Sequence, residues 1–447
     1  MSVTTMRDCG FQSSQNLKHG PITNFQHVDY AHVFSTIAFI AFIVRDGFSG
    51  PIRFYLSKSG LGVLAFTPDG LAILAFFIFI WLQILRRNFL GLFVVVSFLF
   101  SVGVSVVFMN DNLQSFFSST KMFMPIFVGF CFLQNSFTEN SRVRLVLTSL
   151  FILSCTGLIL APHVAYPWLT ETVTAFGIEK DLSRTWWTGG EIRPSGFSND
   201  STAAAFVTVF LFALISPYLS IVSNIMFASL AWYAVTISTS KTALGVLGIY
   251  LALYILFSLF RDKKRRIDLQ KLMARLSFLT LLVPAMLIFL FAGVEPMDVP
   301  TQFASMLDRI NNTWLQPFIY LKDNFPAGLF IGCGVGCFAY PMDYTALEEF
   351  RGALDNFYLT TFVMLGYPAI LIIIMLFASI RVCNDPIRLT LIVLFNVYAI
   401  TIQSYGLSTC LVFFGYMFST MFTMPVVQAR KDAEKASGRG GYSSLMR

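Results

Sequence analysis

The chain has 447 residues, of which 56% are hydrophobic, 16% aromatic and only 12% charged. Soluble domains carry about 25% charged residues, so a water-soluble fold is excluded and a polytopic membrane protein is expected. Four histidines and seven scattered cysteines leave little for a zinc site or a disulfide framework, and the net charge of +7 sits in short clusters between apolar runs, a membrane-orienting pattern and not a nucleic-acid-binding one.

Residues 1–28 are polar and read as a cytoplasmic tail without a cleavable signal peptide. Segments long enough to cross a bilayer, or nearly so, follow at about 30–44, 70–85, 89–109, 121–134, 145–161, 201–216, 219–237, 242–260, 276–293, 356–380, 388–404 and 408–425. They predict an all-α, polytopic integral membrane protein with about twelve transmembrane helices within residues 29–428. The Gly/Ser-rich, charged tail over 429–447 is expected to be disordered. Basic clusters at Arg86 and Arg87, Arg142 and Arg144, Arg261 through Arg275, Arg381 with Arg388, and from Arg430 onward fall in alternate loops. Those loops, and both termini, are therefore expected in the cytoplasm.

Residues 227–260 are almost continuously apolar and would reach about 50 Å as one helix, against a hydrocarbon core of about 30 Å. The run must break at its polar cluster, Thr236 to Thr242, which puts Lys241 at the extracytoplasmic boundary. Two long extracytoplasmic loops result, 162–199 and 294–355. Their tryptophans, Trp168, Trp186, Trp187 and Trp314, suit either membrane-interface anchoring or stacking on sugar rings.

Candidate chemistry gathers on that outer side. Arg193 opens a block running through Gly196 and Phe197 to Asn199, just before a span, Lys241 follows Ser240 at the broken helix, and Arg309 lies in the second loop. Converging Arg and Lys at a membrane surface suit a diphosphate, because guanidinium binds phosphate bidentately and the cations stabilise the charge of a departing diphosphate without a metal. The plainer reading of each cation is snorkelling to the interface. Asp355 stands before an apolar span beside Asn356 and reads either as a helix cap or as a general base for an acceptor hydroxyl. Gly332, Gly334 and Gly336 are a weak match to a phosphate loop and read better as a tight turn letting the loop fold over the site. Cys333 and Cys337 face an oxidising side and are able to pair.

On these residues the chain resembles the O-antigen polymerase and O-antigen ligase superfamily of bacterial inner membranes. The resemblance rests on Arg193 to Asn199, Ser240 and Lys241, Arg309, Gly332 to Phe338, Asp355 to Leu359, and Leu365 with Gly366, covering about residues 184–380. It implies a GT-C-like membrane fold and metal-independent glycosyl transfer at the periplasmic face, with no cofactor. The donor it implies is an undecaprenyl-diphosphate-linked oligosaccharide, and the chain-length regulator and the flippase are implied partners. Carried over, Arg193, Lys241 and Arg309 bind the donor diphosphate, Asp355 takes the place of the ligase histidine, and Asn199, Asn356 and Tyr358 support the site. Lys241 stands where Arg is usual, which loses bidentate geometry.

The absence of a histidine at 355 favours a polysaccharide polymerase, for exopolysaccharide, capsule or O-antigen, over an O-antigen ligase. A lipid-linked oligosaccharide flippase is the third reading, and it ranks behind because the spans carry few ionisable residues.

Overall fold

The computed structural model describes residues 23–109, 113–175, 178–184, 186–188, 191–294, 306–339, 342, 345, 347, 350, 353–402 and 404–423. The expected tails lie outside these residues, except that the first helix begins at Thr23, within the segment read as tail. About 76% of the structure is helical. Helix is what such apolar runs must form, because hydrocarbon offers no partner to an unpaired backbone N–H or C=O.

Helix α1 (Thr23–Gly47) turns by 87° into α2 (Ser49–Lys58). Then come α3 (Thr67–Leu85), α4 (Phe89–Phe108), the short α5 (Leu113–Phe123) and α6 (Pro125–Phe130), and α7 (Ser141–Leu160). After the first long loop follow α8 (Ser201–Ile215), α9 (Ile221–Ile237), α10 (Lys241–Ser258), α11 (Lys263–Leu276) and α12 (Leu282–Phe291). The second loop carries α13 (Gln316–Asn324) and α14 (Gly328–Ile331), and the chain continues with α15 (Phe357–Leu365), α16 (Tyr367–Ser379), α17 (Pro386–Tyr398) and α18 (Ser408–Phe418).

Among the described residues six helices are long and apolar enough to cross a membrane: Gly62–Leu85, Phe89–Phe108, Ser141–Leu160, Ser201–Tyr218, Lys241–Ser258 and Lys263–Phe291. The chain is a multi-pass membrane protein. The bent pair Tyr30–Gly47 and Ser49–Lys58 passes the same test jointly, and shorter apolar helices occupy Ile221–Ile237, Tyr367–Ser379, Pro386–Tyr398 and Ser408–Thr423. The apolar segment at 121–134 is divided between α5 and α6. As the polar cluster predicts, α9 ends at Ile237 and α10 starts at Lys241, with Thr239 at φ 54° in the turn.

The first long loop departs from an all-α reading by holding two antiparallel hairpins, Thr172–Ala175 with Ile178–Asp181 and Trp186–Thr188 with Glu191–Arg193. It is seated on α2: Trp168 stacks on Tyr166 with centroids 4.7 Å apart, and a Cβ at Gly50 would meet the Trp168 ring at 2.5 Å.

The glycine run of the second loop differs from its expected role. Instead of covering a site it is buried, and it fills a break in what sequence reads as one span. Gly366 (φ 64°, ψ −142°) separates α15 from α16. The carbonyls of Val363 and Met364, left without helical donors, accept from Cys333 N–H (2.9 Å) and Gly334 N–H (3.1 Å), and Ser101 Oγ of α4 adds a bond to Met364 O at 3.0 Å. Cys333 and Cys337 are joined by a disulfide within this wedge. Gly332 has φ 82°, and a Cβ there would lie 2.2 Å from Met364 O. Gly332→Ala is therefore expected to destabilise the protein by about 2–4 kcal/mol, read as a lowered Tm in detergent. An unchanged Tm would mean that the wedge is not seated as described.

Two sets of charges that sequence assigns to span ends or loops are interior. Arg45 on α1 pairs with Asp46 (2.8 Å) and with Asp69 of α3 (2.7 Å), and Lys121 of α5 approaches Asp69 at 3.1 Å. Asp46 Oδ2 also accepts from Thr409 N–H (2.7 Å) and Thr409 Oγ1 (2.8 Å), at the start of α18. Arg388, read with Arg381 as an exposed basic loop, is 0% exposed. It donates to the carbonyls of Leu133 and Asn135 and to Ser419 Oγ, and it lies over the Tyr416 ring. A buried guanidinium persists only when its donors find acceptors, and these carbonyls supply them.

Candidate functional site

The site is best built from the turn that holds Arg309. Residues Arg309–Trp314 form a π-helical turn, closed by the bond from Leu315 N–H to Ile310 O at 3.1 Å. Its wider turn, closed by an i→i+5 bond, brings the first, fifth and sixth residues to one side. All three face Asp355. Arg309 Nε lies 3.2 Å from Asp355 Oδ2, and the Trp314 indole N–H donates to Oδ1 at 2.8 Å. Thr313 Oγ1 lies 3.1 Å from Oδ1 and 2.8 Å from Arg309 O, and its single hydrogen serves one acceptor at a time.

Asp355 and Asn356 divide the two roles that sequence left open. Asn356 is the helix cap, accepting from Leu359 N–H at 2.9 Å while its Nδ2 donates to Ile400 O at 2.9 Å. The carboxylate one residue earlier is thereby left for the π-turn. Burial pushes the Asp355 carboxyl above the ordinary carboxylate range, opposed by the Arg309 charge and by the Trp314 and Thr313 hydrogen bonds.

The connection between α17 and α18 joins the π-turn to the start of α10. Arg309 Nη1 donates to Thr401 O (3.0 Å), and Thr401 Oγ1 is 2.8 Å from Thr242 Oγ1, next to Lys241. Lys241 itself is exposed at the first turn of α10. Arg193 comes from the second hairpin and donates through Nε to Thr239 Oγ1 at 3.0 Å, in the turn that precedes Lys241. Burial lowers the proton affinity of Arg193, Asp200 opposes this, and Arg309 lowers it further by repulsion. Arg309 and the turn that receives Arg193 are thus joined through Thr401 and Thr242.

Of the supporting residues, Asn199 accepts the N–H of Arg184 at 2.7 Å with its carbonyl, and its side chain lies 3.4 Å from Ser198 Oγ. Its neighbour Asp200 caps α8 through Ala203 N–H (2.7 Å), with its carboxyl raised by burial. Tyr358 departs from expectation, pointing into the bundle with its hydroxyl on Asn396 Oδ1 (2.5 Å), from which Asn396 Nδ2 continues to Ser277 Oγ (2.8 Å). That chain ties three helices together.

Sequence reasoning missed Trp314 as a carboxylate partner, Thr239 as the acceptor for Arg193, and Thr401, which it placed inside a span at 388–404 although the helix ends at Tyr398. The only local signal was a threonine after an apolar run, which carries no information about what it touches. Among the described residues no three His, Cys, Asp or Glu side chains gather as metal ligands. Comparison with family models, curated proteins and solved structures finds no match for this chain.

Proposed function

We propose that this chain is a polysaccharide polymerase, transferring a glycan from undecaprenyl diphosphate to a lipid-linked repeat unit in exopolysaccharide, capsule or O-antigen synthesis. The observation that supports the reading is Arg309 beside Asp355, with the Arg193 and Lys241 blocks tied to the same end of the bundle through Thr239, Thr242 and Thr401. In this reading that end is periplasmic, the membrane is the bacterial inner membrane with both termini cytoplasmic, and the twelve apolar segments complete a GT-C-like fold.

The chemistry follows from the groups. An acceptor hydroxyl oxygen bonds to the anomeric carbon of the donor glycan as the bond from that carbon to the diphosphate oxygen breaks. The electron pair leaves with the diphosphate, whose charge Arg193, Arg309 and Lys241 stabilise. The hydroxyl proton passes to Asp355, whose burial strengthens it as a base.

Asp355→Ala is expected to make lipid-linked single repeat units accumulate in cells while polymer disappears, seen by extracting and chromatographing the lipid-linked pool. In the unaltered protein the rate should fall as pH drops through the raised Asp355 pKa, since protonation removes the base, so the acid limb sits above the ordinary carboxylate range. Normal polymer in Asp355→Ala would sink the reading. Polymer retained on its carrier but lost from lipid A would point to a ligase instead.

A further inference from the structure

We propose that the Arg309–Asp355 ion pair is a latch opened by the donor diphosphate, which releases the acceptor-activating carboxylate only once the donor is seated. The inference rests on the reading above and specifies how the same site is regulated.

As the site stands, both oxygens of Asp355 are engaged. Oδ1 holds the Trp314 indole at 2.8 Å, with Thr313 Oγ1 at 3.1 Å, and Oδ2 faces Arg309 Nε at 3.2 Å. A carboxylate has further lone pairs, but one paired to a guanidinium takes up a proton only against that positive charge. Arg309 is the charged partner that holds it in this state.

Arg309 is built to change partners. Its Nη1 stays on the Thr401 carbonyl at 3.0 Å, a backbone anchor that does not depend on Asp355. A diphosphate carries more charge than one carboxylate and engages guanidinium bidentately. The diphosphate therefore wins Arg309.

Asp355 then keeps Trp314 on Oδ1 while Oδ2 turns to the acceptor hydroxyl. The cation that lowered its proton affinity is now neutralised by phosphate, so the base strengthens at the moment it is needed. Trp314 acts through Asp355 as a positioning residue. It is 0% exposed and packed with Leu307 and Ile310, which fixes the indole N–H. The consequence is ordered binding with the donor first.

The test measures binding of undecaprenyl diphosphate, free of sugar, to the full chain in lipid nanodiscs by calorimetry. Asp355→Asn should bind it about three- to tenfold more tightly than the unaltered chain, because the competitor for Arg309 is gone while the amide still meets Trp314. Trp314→Phe should weaken binding about two- to threefold, since a carboxylate freed on Oδ1 can grip Arg309 with both oxygens. A purely structural Asp355 would give equal or weaker binding in Asp355→Asn, and that result overturns the latch while leaving the diphosphate site standing. No binding to the unaltered chain overturns the diphosphate site itself, and the latch with it. Should Asp355→Asn fail to fold, Asp355→Ser removes the same competitor and is read by the same criterion.

Discussion

Arg309→Ala is expected to slow glycan elongation from purified lipid-linked repeat units by about 10²- to 10³-fold, followed as a polymer ladder over time. That is the effect of removing one preorganised donor from a developing anion. The guanidinium is anchored on Thr401 O at 3.0 Å before any substrate arrives, and it keeps that anchor when its other donors turn from Asp355 to the diphosphate. Arg309→Lys keeps the charge but cannot span both anchors, and a loss of about tenfold is expected. An Arg309→Ala protein that elongates at the parental rate would remove the cation from the mechanism.

Arg45→Met is expected to destabilise the fold by about 3–5 kcal/mol, the range for breaking a buried ion pair so that a charge is left unmatched. Arg45 and Asp69 are each 8% exposed, and without Arg45 the two carboxylates Asp46 and Asp69 retain Lys121 and Thr409 between them. The two-site change Arg45→Met with Asp69→Asn should recover part of the loss, because it removes one orphaned charge along with its partner. Melting of the purified protein in detergent gives both values. Equal Tm for Arg45→Met and the parent would show that the cluster is solvated after all.

Composition and apolar run length made the helices legible, and the polar residues Thr236 to Thr242 located the reversal before α10. The blocks that carry the cations also make contact: Arg193 reaches Thr239, and Thr242, next to Lys241, touches Thr401. The illegible features all depend on distant contacts. A π-turn has no sequence signature of its own, so Trp314 looked like an interface aromatic. The break at Gly366 was hidden in an apolar run, because its free carbonyls are met by amides more than 25 residues away at Cys333 and Gly334. Burial of Arg388 was equally invisible, since its carbonyl acceptors at Leu133 and Asn135 belong to any residue type.

The run Lys263–Phe291 has consequences for how the molecule rides in its bilayer. Its 29 residues rise about 43 Å, well beyond a hydrocarbon thickness of about 30 Å. The surplus is the half bearing Lys263, Lys264, Arg265, Arg266, Lys271 and Arg275, while the other end meets the π-turn, where Gly293 N–H donates to Asn311 Oδ1 at 3.1 Å. A shift of the bundle toward its loop-bearing end would drag this collar into oil, at about 2.5–3.5 kcal/mol for each cation brought to the centre. The collar thus works as a depth stop, resisting movement of its own end of the bundle into the hydrocarbon.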